Sequence, residues 1–256
     1  MQSKMKFSHV LLTRPRPQSE ELAEMLKPLG LEAVVQPAFV YAALEARLAQ
    51  KDDFSALLAA GPGDLVLFTS PRAVMHGLAQ LPPGVLSRVR VAAIGPATAR
   101  ALSVAGVRVN IRAAEGYTSE ALLQTLAAEP VPVGRPSAFI MAAPGGREKL
   151  GEGLGKLGWQ ARTIMVYRSE PAELDKQALA MLGEADGTLS VWTSANVMKA
   201  LSQRLPPASW FRICQGEWLV ISDRLKRLAR AYGPEGIHLA AGPGNQAIHA
   251  AIRNLC

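Results

Sequence analysis

Cysteine is scarce in this chain, with only Cys214 and Cys256 among 256 residues. Two such residues build no disulfide framework and have no metal-ligand spacing, so a reducing cytoplasm is the simplest home and no metal is expected. Histidine is nearly as rare. His9, His76, His238 and His249 fall at strand beginnings or on helices without ligand-like spacing and read as structural or surface groups. Aromatic residues make up 5% of the chain, which leaves few stacking platforms for single-stranded nucleic acid. No uninterrupted apolar run reaches about 18 residues, so a transmembrane helix is not expected. The opening "MQSKMKFSHVLLTRPR" reads as a first strand because its apolar stretch is short and no small-residue cleavage pattern follows. Phosphate-binding and nucleophile motifs are also missing: there is no G-x-x-x-x-G-K-S/T loop and no G-x-S-x-G elbow. "GPGNQA" imitates a dinucleotide fingerprint, but too little chain follows for the second strand and acidic ribose ligand that a dinucleotide site needs. Carboxylates lie mainly on helices and are not paired in loops. A nucleotide-using enzyme and one driven by a strong base, nucleophile or metal are thereby disfavoured.

What the chain does have is a repeat in the order A-B-A′-B′. His9–Tyr41 is echoed by Ala138–Glu170, and Leu65–Leu81 returns as Leu189–Leu205 with a Thr-Ser pair in the same place. The register is nearly constant: Thr193 lies 124 positions after Thr69, and Gly158 lies 128 after Gly30. Self-similarity of this kind predicts two similar lobes with a cleft between them. A hydrophobic fraction of 49% can fill two cores. The repeat permits A to pair with B, or A with B′ around an inserted B-A′ lobe; the pattern leaves both open.

Short aliphatic runs alternate with amphipathic segments, which predicts doubly wound parallel sheets, an α/β fold. Strand candidates include His9–Thr13, Leu65–Phe68, Val107–Arg112, Ala138–Ala142, Gln160–Val166 and Leu189–Trp192. Gly30, Gly106, Gly158 and Gly233 follow helical segments, where a left-handed residue is wanted. Phe39–Lys51 and Val166–Leu174 read as less regular junctions, and Val131–Pro136 and Leu205–Ser209 as surface connections.

Ligands of open parallel sheets gather where strands hand over to helices. Here those loops are rich in Ser, Thr and Gly, which cap helices and leave backbone N–H groups free to receive anions. The net charge of +7 favours an anionic partner as well. Tyr167 closes the strand "ARTIMVY" at the second junction, where a phenol can donate a hydrogen bond or act as a weak acid. Two classes fit these features: an enzyme that mainly holds and shapes its substrate, or a non-catalytic two-lobed protein that closes on a small anion.

The strings "LLTRP", "LVLFTSPRAV", "VAAIGPATARAL", "TSEALL", "GREKL", "VYRSEP" and "VWTSANVM", in this order from Leu11 to about Ile252, resemble the uroporphyrinogen-III synthase family. The resemblance implies a cytoplasmic, monomeric, cofactor-free enzyme of tetrapyrrole biosynthesis that binds neither nucleic acid nor membrane. It further implies the exchanged arrangement, with 1–38 plus 168–256 as one lobe, 41–165 as the inserted lobe, and linkers near 39–40 and 166–167. The family's substrate is hydroxymethylbilane, a linear tetrapyrrole polycarboxylate, and transient hand-over from the preceding pathway enzyme is compatible with it. Loss of the terminal hydroxyl as water gives an azafulvene cation; attack at ring D, fragmentation and reclosure then yield uroporphyrinogen III with ring D inverted. Carried over by position, the family's cleft tyrosine is Tyr167. Its hydroxyl-bearing loops fall on Ser70, Thr98, Thr118, Ser119, Thr193 and Ser194, and Arg14 and Arg147 become carboxylate partners. Where the family carries a "GPTTA" loop this chain has "SDRLK", with Ser222 as the nearest hydroxyl.

Overall fold

In the computed structural model the described residues are 6–113, 118–129, 134–145, 148–185 and 187–256. The aliphatic runs form β1 (His9–Leu12), β2 (Glu32–Val35), β3 (Phe39–Ala43), β4 (Leu65–Phe68), β5 (Arg90–Ala93), β6 (Ile111–Arg112), β7 (Ser137–Ala142), β8 (Gln160–Met165), β9 (Tyr167–Pro171), β10 (Thr188–Trp192), β11 (Glu217–Val220) and β12 (Gly236–Leu239). Two five-stranded sheets result, ordered β12-β11-β10-β1-β2 and β6-β5-β4-β7-β8, and their strand pairs are parallel. In each sheet a strand of one repeat half lies beside a strand of the other, β1 against β10 and β4 against β7. The chain divides into two compact units, 1–40 with 170–256 and 41–169. The boundaries fall inside β3 and β9, which pair with each other in a separate two-stranded sheet.

Alternation within the strands explains why helices cover both faces of each sheet. In the inserted unit Val66, Phe68, Phe139 and Met141 pack on one side, while Leu65, Leu67, Ala138 and Ile140 pack on the other. In the discontinuous unit Leu11, Trp192, Trp218 and Val220 face one core, and Val10, Leu12, Val191 and Leu219 the other. Strands buried on both faces have no polar side to show, so they read as continuous apolar runs. Gly30, Gly106, Gly158 and Gly233 take φ of 70°, 75°, 91° and 72°, the left-handed conformation expected of them.

Four local readings change. Tyr167 opens β9 and does not close β8, because β8 is paired along β7 only as far as Ala142, whose partner is Met165. Leu205–Ser209 is no plain connection: Pro206 caps and Pro207 begins a helix, Pro207–Cys214, whose Ile213 is buried in the core. Phe39–Lys51 holds β3, the helix Ala46–Ala49 and the start of the helix Lys51–Leu58. Of Val107–Arg112, only Ile111 and Arg112 are strand. No described helix is long and apolar enough to cross a membrane.

Candidate active site

In the inserted unit β4 ends at Phe68, and the turn Thr69-Ser70 leads into the helix Pro71–Leu78. Thr69 Oγ1 donates to the Met141 carbonyl at 3.0 Å and ties the turn to the neighbouring strand β7. Ser70 is the N-cap, with φ −162° and ψ 163°, and its Oγ accepts from the Ala73 N–H at 3.1 Å. Proline at the first helical position loses nothing there, since its missing N–H would have had no partner. Gly77 lets this helix lie close on the sheet: a Cβ there would approach Met141 Cε to 2.9 Å and the Phe68 ring to 3.1 Å.

Tyr167, 9% exposed, places its Oη 3.2 Å from Ser70 Oγ. One hydroxyl of the pair donates to the other, and the remaining O–H is free to point elsewhere. If Ser70 is the inner donor, the phenol keeps its own proton to give away. Two rings hold the phenol. His76 stacks on it at 5.5 Å between centroids and 20° between planes, and Tyr41 meets it edge-on at 6.1 Å and 63°. Such pairs contribute about 0.5–1.5 kcal/mol each beyond area burial, enough to favour one ring position. The Arg72 guanidinium carbon lies 3.7 Å from the centre of the Tyr41 ring. Burial, and after it the Arg72 charge, holds the His76 imidazole below the ordinary histidine pKa. The cluster therefore carries one cation, on Tyr41, and a neutral imidazole on Tyr167.

Other helix starts of this unit lie at the carboxyl end of the same sheet. Gly95 caps the helix Pro96–Val104, in whose first turn Thr98 is buried. Thr118 caps the helix Ser119–Ala127 through the Ala121 N–H at 3.2 Å, and Ser119 is buried beside it. Arg147 lies outside the described residues.

The discontinuous unit has its own set. Thr13 Oγ1 donates to the Val191 carbonyl at 2.7 Å. Arg14 Nη1 donates to Asn245 Oδ1 at 2.6 Å, and Asn245 Nδ2 donates in turn to the Gln18 carbonyl at 3.0 Å. Thr193 and Ser194 precede the helix Ala195–Arg204, and Ser194 makes no side-chain cap there. Ser222 caps the helix Asp223–Ala229 through the Leu225 N–H at 3.3 Å.

Sequence reasoning missed His76, Tyr41, Arg72 and Asn245. For His76 a signal was present: Arg72 and His76 are four residues apart on the helix that Ser70 caps, hence on one face. Tyr41 and Tyr167 meet only because β3 and β9 pair, which no local pattern announces.

The sequence profile described as uroporphyrinogen-III synthase HemD matches residues 11–249. The chain belongs to the uroporphyrinogen-III synthase family. It is 30% identical over 251 residues to the uroporphyrinogen-III synthase of Escherichia coli strain K12, covering 95% of this chain and 99% of that protein. It is 31% identical over 252 residues to that of Salmonella typhimurium strain LT2, with 95% and 99% covered. Among solved structures, a mutant uroporphyrinogen III synthase from the extremely thermophilic bacterium Thermus thermophilus superposes with a TM-score of 0.60 at 22% identity over 96% of this chain and 98% of that one. The enzyme from Helicobacter pylori 26695 gives a TM-score of 0.59 at 14% identity, with 97% and 99% covered. At these identities the structural likeness supports the fold, and membership of the family rests on the sequence matches.

Proposed function

We propose that this protein is a uroporphyrinogen-III synthase, closing hydroxymethylbilane to uroporphyrinogen III with loss of water and inversion of ring D. The family match over residues 11–249 carries this reading. In the inserted unit it is supported by a phenol and a serine hydroxyl 3.2 Å apart at a helix N-terminus. The reading includes a cytoplasmic monomer that takes a linear tetrapyrrole polycarboxylate as its partner and requires no cofactor.

In the first step the C–O bond of the terminal hydroxymethyl group breaks, electrons from the adjacent pyrrole fill the vacancy, and the departing hydroxyl takes a proton to leave as water. Tyr167 is the donor. Ser70, itself accepting from the Ala73 N–H, donates to Tyr167 Oη and stabilises the phenolate left behind, aided by the positive end of the helix dipole. The azafulvene cation is attacked by the substituted carbon of ring D, and the resulting spiro-pyrrolenine fragments and recloses at the unsubstituted position. The proton released as ring D regains aromaticity balances the one spent on water. Since closure without inversion proceeds spontaneously, the protein's larger task is to hold the chain ends in the inverting geometry. The backbone amide of Ser70, the hydroxyls of Thr118, Ser194 and Ser222 at their caps, Thr193 beside one, and the amides around the buried Thr98 and Ser119 are the groups we assign to the substrate carboxylates. Arg14 and Arg147 are assigned as their ion-pair partners.

Incubation with freshly generated hydroxymethylbilane, followed by separation of the isomers, tests the reading. Uroporphyrinogen III is the expected product. Formation of the non-inverted isomer alone would overturn the assignment, and tight binding without conversion would favour a non-catalytic anion-binding protein.

A further inference from the structure

We propose that His76 is a positioning residue for the reaction, holding the Tyr167 phenol against Ser70 by stacking on its ring face. The inference deepens the synthase reading and rests on it.

The phenol can transfer its proton productively only if the oxygen is fixed, because a misplacement of the order of 1 Å in a reacting group can lower a rate about a hundredfold. Hydrogen bonding alone does not fix it: the 3.2 Å contact with Ser70 leaves the ring free to swing about that point. Two neighbouring rings remove this freedom. Tyr41 blocks the ring edge-on, and His76 lies nearly parallel to it, 20° between planes. Of the two, His76 shares its helix with the cap residue Ser70, so one rigid element sets both the hydroxyl and the plane that the phenol must satisfy. Close seating of that helix at Gly77, next to His76, fixes its height above β4 and β7.

The imidazole acts through its face. Its Nε2 is buried and has no hydrogen-bond partner among the described residues. Its proton affinity is lowered by burial and by Arg72, which keeps it uncharged beside the phenol. A flat apolar ring of similar size should therefore replace it, and a side chain without a ring should not.

The test measures kcat, KM, isomer ratio and melting temperature for the wild type, His76→Ala, His76→Phe, Tyr167→Phe and the double variant His76→Ala/Tyr167→Phe. We expect His76→Ala to lower kcat about tenfold with KM little changed, the mark of an interaction needed in the transition state. His76→Phe should keep most of the rate. In the Tyr167→Phe background His76→Ala should cost almost nothing further, since its effect runs through the phenol. An unchanged kcat in His76→Ala, or an equal fall with and without the Tyr167 hydroxyl, overturns the inference while leaving the synthase reading intact. If His76→Ala does not fold, His76→Leu, which fills the space without a ring face, carries the same comparison. A wild type that yields only the non-inverted isomer overturns both readings together.

Discussion

The two Thr-Ser turns lie 124 residues apart and begin corresponding helices, but only one has chemistry built around it. Ser70 caps its helix and meets the Tyr167 hydroxyl; Ser194 makes no side-chain cap. The differences follow the repeat register. Phe39 stands 128 positions before Tyr167, as Gly30 stands before Gly158, so the copy of the phenol lacks its hydroxyl. Ala200 and Asn196 stand 124 positions after His76 and Arg72, so the stacking ring and the cation are missing too. Both copies retain the doubly wound sheet, while the groups suited to proton transfer have collected in the inserted unit.

Tyr167→Phe should break this asymmetry most severely. It removes the donor while keeping the ring, and a fall in kcat of about tenfold or more is expected, since general-acid catalysis is typically worth about 10²–10⁴-fold. Adding the hydroxyl to the other copy, as Phe39→Tyr in the same chain, should restore none of it. Steady-state rates of the two variants decide the point: recovered turnover would mean that the copies are interchangeable.

Much of this is legible in the sequence. Strands buried on both faces, such as Val10–Leu12 and Leu65–Phe68, announced themselves as aliphatic runs, and the left-handed glycines marked helix ends. The strongest chemical candidate, Tyr167, is visible because it stands where the run "ARTIMVY" enters the second junction as "VYRSEP". What escaped depends on contacts distant in sequence. Tyr41 reaches Tyr167 through pairing of strands more than a hundred residues apart, and the helix Pro207–Cys214 was hidden because adjacent prolines signal a turn and a helix start equally well. The four-residue spacing puts His76 on one helix face with Arg72, but the ring that this face meets is not written in spacing.

A second contrast lies at the opposite end of the sheets. Leu189 is paired with Glu217 across β10 and β11, and its counterpart Leu65 with Arg90 across β4 and β5, so one position carries opposite charges in the two copies. Glu217 has a 6% exposed side chain, with His238 Nε2 at 2.7 Å and Lys6 Nζ at 3.3 Å; Arg90 pairs with Glu129 in a more open setting. Burial alone would raise the Glu217 pKa, but hydrogen bonds from His238 and Lys6, together with their charges, outweigh it and leave it below the ordinary glutamate value. Glu217→Gln should therefore cost about 2 kcal/mol near neutrality, the scale of hydrogen bonds to a buried charge. Arg90→Gln should cost less than about 1 kcal/mol, as partly exposed pairs do. Because the folded pKa is lowered, the carboxylate's contribution is complete above the unfolded value of about 4.3 and is lost as pH falls through the folded one. Denaturant titrations at several pH values should show the wild type converging on Glu217→Gln in acid. A gap that is independent of pH would mean that packing, not charge, holds this edge.

The serines of the two turns should differ as well, Ser194 showing the smallest effect. Ser70→Ala deletes a cap whose loss typically costs about 1 kcal/mol, and it also takes the partner of Tyr167 Oη. Stability and kcat should fall together. Ser194→Ala removes a hydroxyl that caps nothing in the free protein, so thermal unfolding should shift by no more than a few tenths of a kcal/mol. Any larger consequence for Ser194 must then appear with substrate present, as a raised KM for hydroxymethylbilane at unchanged melting temperature. That outcome would place the second Thr-Ser turn in binding and reserve proton transfer for the first. If both variants instead lost stability and rate in equal measure, the two turns would be structural copies, and the asymmetry would lie in Tyr167 alone.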